Sequence, residues 1–252
     1  MNRSLLVTTS WDDGHRLDLE LADMLDRHGL AGTFYIAPRS VELAPDDRMT
    51  ADQIRSLASR FEIGGHTLTH RPLPSLTLSE ARQEICAGRD ELESIVGRPL
   101  RSFAYPRGEY DDRHVQLVGE AGFRVGRTVR RWVVAPPLDL LQLDTTVHAY
   151  RHLKDLPRLA VRPRLAWGAR LACFWNWDVL AIDVFDRALE SGGVFHFWGH
   201  SWEIAAHGDW QRLDKVLRHV GGRSDVSYVA NGALPLATDP SSSSPFRSGW
   251  TG

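Results

Sequence analysis

Strand-like and helix-like segments alternate along almost the whole chain, and this alternation most restricts its fold. The runs "SLLVTTS", "AGTFYIA", "FRVGRTV", "LDLLQLDTTV", "GVFHFWGHS" and "SDVSYVA" read as strands, and "FEI" and "LRSFA" read as shorter ones. Between them lie helix patterns: "DLELADMLDRHGL", "MTADQIRSLASR", "TLSEARQEICAGRDELESIVG", "DDRHVQLVGEAG", "DVLAIDVFDRALESG" and "DWQRLDKVLRHV". Two of these carry start signals. Thr50 with Gln53, and Thr77 with Glu80, have the spacing of a capping box. Gly97 followed by Pro99 marks a helix end. Regular β–α alternation predicts a parallel sheet with crossover helices, either open or closed as a barrel. In such folds the chemistry collects at the C-terminal ends of the strands. Here the clusters "DDGH", "GGHTLTH", "YPRG", "DTTVH" and "GHSWE" each follow a strand-like run, and they are expected to converge on one face.

The bulk numbers exclude several classes. A net charge of -2 gives no support for a nucleic-acid surface, which would need a concentrated basic face. No apolar run is long enough for a membrane span. "MNRSLLVTTSW" turns polar too early for a secretory signal, so the chain reads as cytoplasmic. Its 2 cysteines, Cys86 and Cys173, are too few for a disulfide scaffold, and both read as packing residues. Residues 1–236 are expected to form one catalytic domain, and the Ser- and Pro-containing stretch 237–252 a flexible tail. Tryptophan is abundant at 9, and five of these, Trp167, Trp175, Trp177, Trp198 and Trp202, fall between positions 167 and 202. Such a group is either core or a wall of the cleft suited to sugar rings.

Asp12 and Asp13 are adjacent, and adjacent carboxylates repel. A solvated turn would explain them. So would a metal site that takes one as ligand and leaves the other as a base for activated water. His66 and His70, four residues apart after Gly64 and Gly65, supply the remaining donors. Two histidines and a carboxylate with open positions make a familiar catalytic set for zinc or iron. The motif is not His-Glu-x-x-His, so it is not that of a zinc-protease helix. A hydrolysis also needs a proton for its leaving group. In "HFWGHSWE", His200 stands at the strand end and is the preferred general acid. His196, inside the strand, reads as a core or supporting histidine, and Glu203 either orients His200 or caps the next element.

Together these motifs resemble those of the polysaccharide deacetylases, the carbohydrate esterases with a NodB-like domain. "TSWDDG" is similar to the family's first motif, which makes Asp12 the base and Asp13 a metal ligand. "GGHTLTH" resembles its second, with His66 and His70 as ligands, and "FAYPRGEY" its third, where the backbone N–H of Arg107 would help hold an oxyanion. "HFWGHSWE" resembles its last, with His200 as the acid. The resemblance implies a distorted (β/α)7 TIM-like barrel. Two departures stand out. Many members carry a base-orienting arginine where this chain has Ala104, so that Arg101 or Arg107 would have to replace it. The fourth motif is matched only loosely by the region of Asp144 and His148.

The function expected on this basis is metal-dependent removal of acetyl from an N-acetylated sugar, either small or lipid-linked. Zn2+ is the default ion, and Co2+, Ni2+ or Fe2+ suits the same donors. A hydrolase of ring amides or other small non-sugar amides is the alternative on the same chemistry. A carbohydrate-binding protein without turnover is the alternative from another class, though such a protein has no physical need for both a base and an acid.

Overall fold

The structure, a computed structural model, describes residues 4–150 and 176–237. Its centre is β1 (Leu5–Asp13). Around it lie β2 (Thr33–Ile36), β3 (Glu62–Gly65), β4 (Ser102–Ala104), β5 (Val125–Arg127), β6 (Val147–His148), β7 (Gly193–Gly199) and β8 (Val226–Tyr228). All pairings between these strands are parallel, in the order β5-β4-β3-β2-β1-β7-β6. β8 pairs with Leu5–Val7, the half of β1 that β2 leaves uncovered, because β2 begins opposite Ser10. The sheet curls without closing fully. Between its two end strands, the described residues supply one parallel bridge, Arg127 to Leu143.

The crossovers are α1 (Asp18–Arg27), α2 (Ala51–Ala58), α3 (Leu78–Val96), α4 (Asp112–Glu120), α5 (Trp177–Ser191), α6 (Ser201–Ala206) and α7 (Trp210–Val220). Both expected capping boxes are present, Thr50–Gln53 on α2 and Thr77–Glu80 on α3, and Gly97 closes α3 in the left-handed region at φ 72°. The sequence reading needs correction at "LDLLQLDTTV". Leu140–Gln142 is a 3-10 turn in which Asp139 accepts the Leu141 N–H at 2.9 Å, and the strand proper is only Val147–His148. The leucines there lack the β-branching that favours a strand, so the aspartate cap decides the local structure. α6, one short helix directly after His200, was not anticipated.

Period-two alternation gives β1 two different faces. Leu5, Val7 and Trp11 belong to the apolar core with Phe34, Phe103, Phe195 and Phe197. The alternate residues carry a buried polar ladder. Thr8 donates to Asn231 at 2.7 Å, Ser10 lies 2.9 Å from His196 Nε2, and Asp12 meets Arg127. This ladder leads up the inside of the sheet to the site. The expected tail, 237–252, lies outside the described residues apart from Ala237, whose N–H donates to the Pro137 carbonyl at 3.0 Å.

Candidate active site

The five polar clusters do converge. Asp12, Asp13, His66, His70, Arg107 and His200 border one cavity of about 370 Å³. Asp12 and Asp13 are the last two residues of β1 rather than a turn beyond it, and they are only 3% and 7% exposed. A solvated aspartate turn is therefore excluded. Adjacent residues on a regular strand would point to opposite faces, but Asp13 leaves the pleat with φ 82° and Gly14 follows at φ 75°. A Cβ on Gly14 would come within 2.6 Å of the Ile36 side chain, so both backbone and packing require glycine there.

Among the described residues, five non-glycines have positive φ, and four of them belong to this region: Asp13, Thr67, His70 and Arg107. Such conformations persist where the surroundings hold them, and they concentrate at functional sites. The His66–His70 loop shows how it is held. Glu84 on α3 accepts the Leu68 and Thr69 N–H groups at 3.1 and 2.9 Å and the Thr69 hydroxyl at 2.8 Å. Thr67 Oγ1 accepts the His70 N–H at 3.0 Å. Gly88 lets α3 lie against this loop, because a Cβ there would stand 2.5 Å from the Thr67 carbonyl.

The loop sets both imidazoles for the same purpose. His66 Nδ1 is 2.7 Å from the Ala104 carbonyl, which only accepts, so Nδ1 carries the proton and Nε2 presents a lone pair. His70 Nδ1 lies 3.0 Å from the Glu42 Oε2 carboxylate oxygen, whose negative charge favours a proton on Nδ1. Burial, then the charge of His70, pushes the His66 pKa down and keeps that ring neutral. Trp202 donates to Asp13 Oδ2 at 2.8 Å, leaving the buried Oδ1 without a hydrogen-bond partner. That Oδ1 is 3.7 Å from His66 Nε2 and 3.3 Å from His70 Nε2, and the two Nε2 atoms are 3.1 Å apart. Ligands at zinc distances of ~2.0–2.1 Å in a tetrahedron stand about 3.3 Å from one another. Two lone pairs and an orphaned carboxylate oxygen facing one point at that spacing need a cation between them. The donor set thus fits a divalent metal.

Asp12 is outside this triad and is supported differently. Arg127, the last residue of β5, is fully buried and donates Nη2–H to Asp12 Oδ2. Its guanidinium also lies over the rings of Trp198 and Tyr35, at 4.6 and 5.3 Å from their centroids. Burial alone would raise the Asp12 pKa, but the charges of Arg127, His66 and His200 hold it below its ordinary 3.8. Asp12 is an ionised carboxylate with Oδ1 uncommitted. Arg127 is the arginine that the sequence reading missed. Its Cα is in register with Ala104, so the guanidinium reaches Asp12 from the strand next to β4. The candidates Arg101 and Arg107 do not fill this role. Arg101 is exposed, and the Arg107 side chain donates to Glu42 at 2.7 Å. Arg107 borders the cavity and lies in a turn with φ 57°.

His200 follows β7. Its Nε2 is 3.9 Å from Asp12 Oδ2, and its Nδ1 is 2.5 Å from Glu203 Oε2. Ser201 donates to the buried Asp18 at 2.5 Å and anchors the start of α6 behind it. Burial works against a charged His200 ring, but the Glu203 hydrogen bond and the Asp13 and Asp12 charges outweigh it and push its pKa up to about 9. Burial would raise Glu203, but its bonds to His148 and His200 leave it well below its ordinary range. His196 is a buried supporting residue. Burial, then Arg127, holds its pKa down to about 3, and Nδ1 meets the Asp144 carbonyl at 3.1 Å. Asp144 itself pairs with Arg130 at 2.5 Å.

The expected tryptophan wall divides. Trp177 is fully buried core and donates to Asp209 at 2.9 Å, whereas Trp198 and the 36% exposed Trp202 border the cavity. Trp167 and Trp175 lie outside the described residues.

A family model described as polysaccharide deacetylase matches residues 3–126, which takes in both aspartates, both loop histidines and Arg107 but neither Arg127 nor His200. No curated protein matches the chain. Among solved structures, a provisional polysaccharide deacetylase from Mycobacterium smegmatis is similar over 91% of this chain and 88% of its own, at 16% identity and TM-score 0.64. A CE4 family pseudoenzyme from Bacillus anthracis is similar over 91% of this chain and 65% of its own, at 16% identity and TM-score 0.53. A Streptococcus pyogenes deacetylase in complex with acetate is similar over 54% of this chain, at 19% identity and TM-score 0.51. The chain spans 62% of that streptococcal protein, less than two thirds of its length. At these identities the likeness is one of fold. Because a pseudoenzyme shares it, the case for turnover has to come from the side chains.

Proposed function

This chain belongs to the polysaccharide deacetylase family, and from that premise we propose that it is a metal-dependent hydrolase that converts an N-acetylated amino sugar and water to the free amine and acetate. The observation that carries the reading is one cavity holding a buried Asp13–His66–His70 donor triad, an ionised Asp12 outside the triad, and a His200 poised to be protonated. A dication on the triad supplies Lewis acidity at the carbonyl and makes water acidic enough to react near neutral pH.

The protein's own groups do the remaining work. Asp12 Oδ1 accepts a proton from the attacking water, and Arg127 keeps Asp12 ionised and in place. The Arg107 N–H is the proposed donor to the carbonyl oxygen as charge develops there. His200 Nε2–H gives its proton to the departing nitrogen, while Glu203 on Nδ1 fixes the ring and stabilises its charge. Trp202 and Trp198 offer ring faces suited to the apolar faces of a sugar. Zn2+ is the proposed ion, chosen for two imidazoles and one carboxylate. The substrate is a small or lipid-linked acetamido sugar handled within the cell, and residues 1–236 form the catalytic unit.

Product analysis tests the reaction. With oligomers of N-acetylglucosamine, acetate and free amine should appear in equal amounts. Opening of a ring amide would instead add one water to the substrate and release no acid. Turnover of ring amides alone would overturn the sugar assignment.

A further inference from the structure

Two histidines that border the cavity, together with a glutamate beside them, form a second set of metal-donor atoms besides the triad. His148 ends β6, His200 follows β7, and Glu203 lies in the first turn of α6. One donor atom from each lies within 4.8 Å of the other two. His148 Nε2 is 3.3 Å from Glu203 Oε2, and His200 Nδ1 is 2.5 Å from the same oxygen. The His148 ring is held flat on Trp198, with centroids 4.0 Å apart and planes at 10°, which fixes where its nitrogens lie. His148 and His200 border the cavity, and the His148, His200 and Glu203 side chains are 12%, 18% and 16% exposed, so the set is not sealed from solvent.

Two imidazoles and a carboxylate again make a zinc donor set, and the His148–Glu203 separation already equals the roughly 3.3 Å edge of a zinc tetrahedron. His200 Nδ1 and Glu203 need only move apart by less than an ångström as the ion replaces the shared proton.

We propose that His148, His200 and Glu203 form a second, weaker Zn2+ site, and that filling it switches off His200. The binding half stands on the donor atoms alone. The regulatory half rests on the assignment of His200 as proton donor. Without the second ion, His200 gives its Nδ1–H to Glu203 and can carry a second proton on Nε2. Zn2+ on Nδ1 sends the Nδ1 proton to solvent and takes Glu203 as a ligand. The ring then retains only the Nε2 proton of an uncharged imidazole, which is released far less readily than that of an imidazolium. The second site is weaker because its ion must displace a proton from a charge-assisted hydrogen bond, whereas the triad presents lone pairs already aimed.

The test is calorimetric titration of Zn2+ into the metal-free full chain. Two binding events per chain are expected. His148→Gln, which keeps a flat side chain against Trp198, and Glu203→Gln should each weaken the second event at least ~10-fold and leave the first unchanged. His70→Ala should do the reverse. The first event also reports on folding, since a variant that keeps it keeps an intact β1 and His66–His70 loop. A single event in the wild type up to millimolar Zn2+, or a second event unchanged in both variants, would overturn the site. In a parallel assay, amide turnover should rise with the first equivalent and fall with the second, and the inhibition midpoint should move in His148→Gln by the same factor as the binding. Inhibition that does not move would overturn the regulatory half. Two intact binding events without turnover of any acetylated sugar would instead fault the deacetylase reading and uphold the second site.

Discussion

Arg127 and Asp12 form a buried ion pair across the curled sheet, the guanidinium coming from the end of β5 and the carboxylate from the end of β1. The arginine is fully buried and the aspartate side chain 5% exposed, so neither can exchange its partner for water. Removing one member of such a pair typically costs about 3–5 kcal/mol, because the other charge stays buried and uncompensated. Arg127→Ala should therefore lower the melting temperature markedly, and Arg127→Ala with Asp12→Asn should recover part of the loss. In the folded Arg127→Ala variant the Asp12 pKa should rise, since burial is then opposed by less positive charge. A base must be ionised, so the acidic limb of turnover should move to higher pH. An unmoved limb would mean that Arg127 is only structural.

The two aspartates should separate by phenotype. Asp12→Asn keeps shape and hydrogen bonding but removes the proton acceptor, so metal content should hold while turnover falls ~10²–10⁴-fold. Asp13→Asn removes the charge and the free Oδ1 that faces both Nε2 atoms, so metal affinity should fall first. Metal per chain measured with turnover on each variant decides. Metal lost from Asp12→Asn and kept by Asp13→Asn would reverse the roles.

His200 should set the alkaline side of the pH profile. Its pKa is pushed up to about 9, and part of that rise comes from the Asp13 and Asp12 charges. A dication on Asp13 offsets some of that charge, so about 9 is a ceiling for the alkaline limb of amide turnover. Activity should be full below this pKa and lost as pH rises through it. Glu203→Gln removes a raising influence, and its limb should fall at lower pH. His200→Ala should lose amide turnover but largely spare an activated phenyl ester, whose leaving group needs no proton. Equal losses on both substrates would remove His200 from the acid role.

Much of this site was legible because its residues act through spacing that the backbone enforces. Period two along "TTSWDD" puts Thr8, Ser10 and Asp12 on one face, and His66 and His70 share one tight loop, so these positions can be placed from local spacing. Arg127 could not be read that way. In "FRVGRTV" it looks like any strand-end arginine, and only the register of β5 on β4 brings it beside Ala104. Glu42 and Glu84 were hidden for a similar reason. One stands in an irregular stretch and the other on a helix full of charge, and their roles exist only through long-range contacts to His70 and its loop. The turn at Leu140–Gln142 was misread because a leucine-rich run fits helix and strand alike, and one aspartate cap decided it.

Glu84 gives a prediction away from the chemistry. It touches neither the donor atoms nor the cavity, but it holds the loop between the two histidines. Glu84→Gln should weaken metal binding ~10–100-fold, as for other lost supports of a ligand shell. With metal in excess, the pH profile should match that of the wild type. Competition against a chelator of known affinity gives the first quantity. Unchanged affinity would show that the loop keeps its shape without this carboxylate.

The most direct test of metal-dependent deacetylation is acetate release from N-acetylglucosamine oligomers by metal-stripped protein, followed before and after one equivalent of Zn2+ is returned. The stripped protein should release none, and the single equivalent should restore turnover in wild type but not in His70→Ala. Equal release with and without the ion, or restoration in His70→Ala, would contradict a mechanism built on Asp13, His66 and His70.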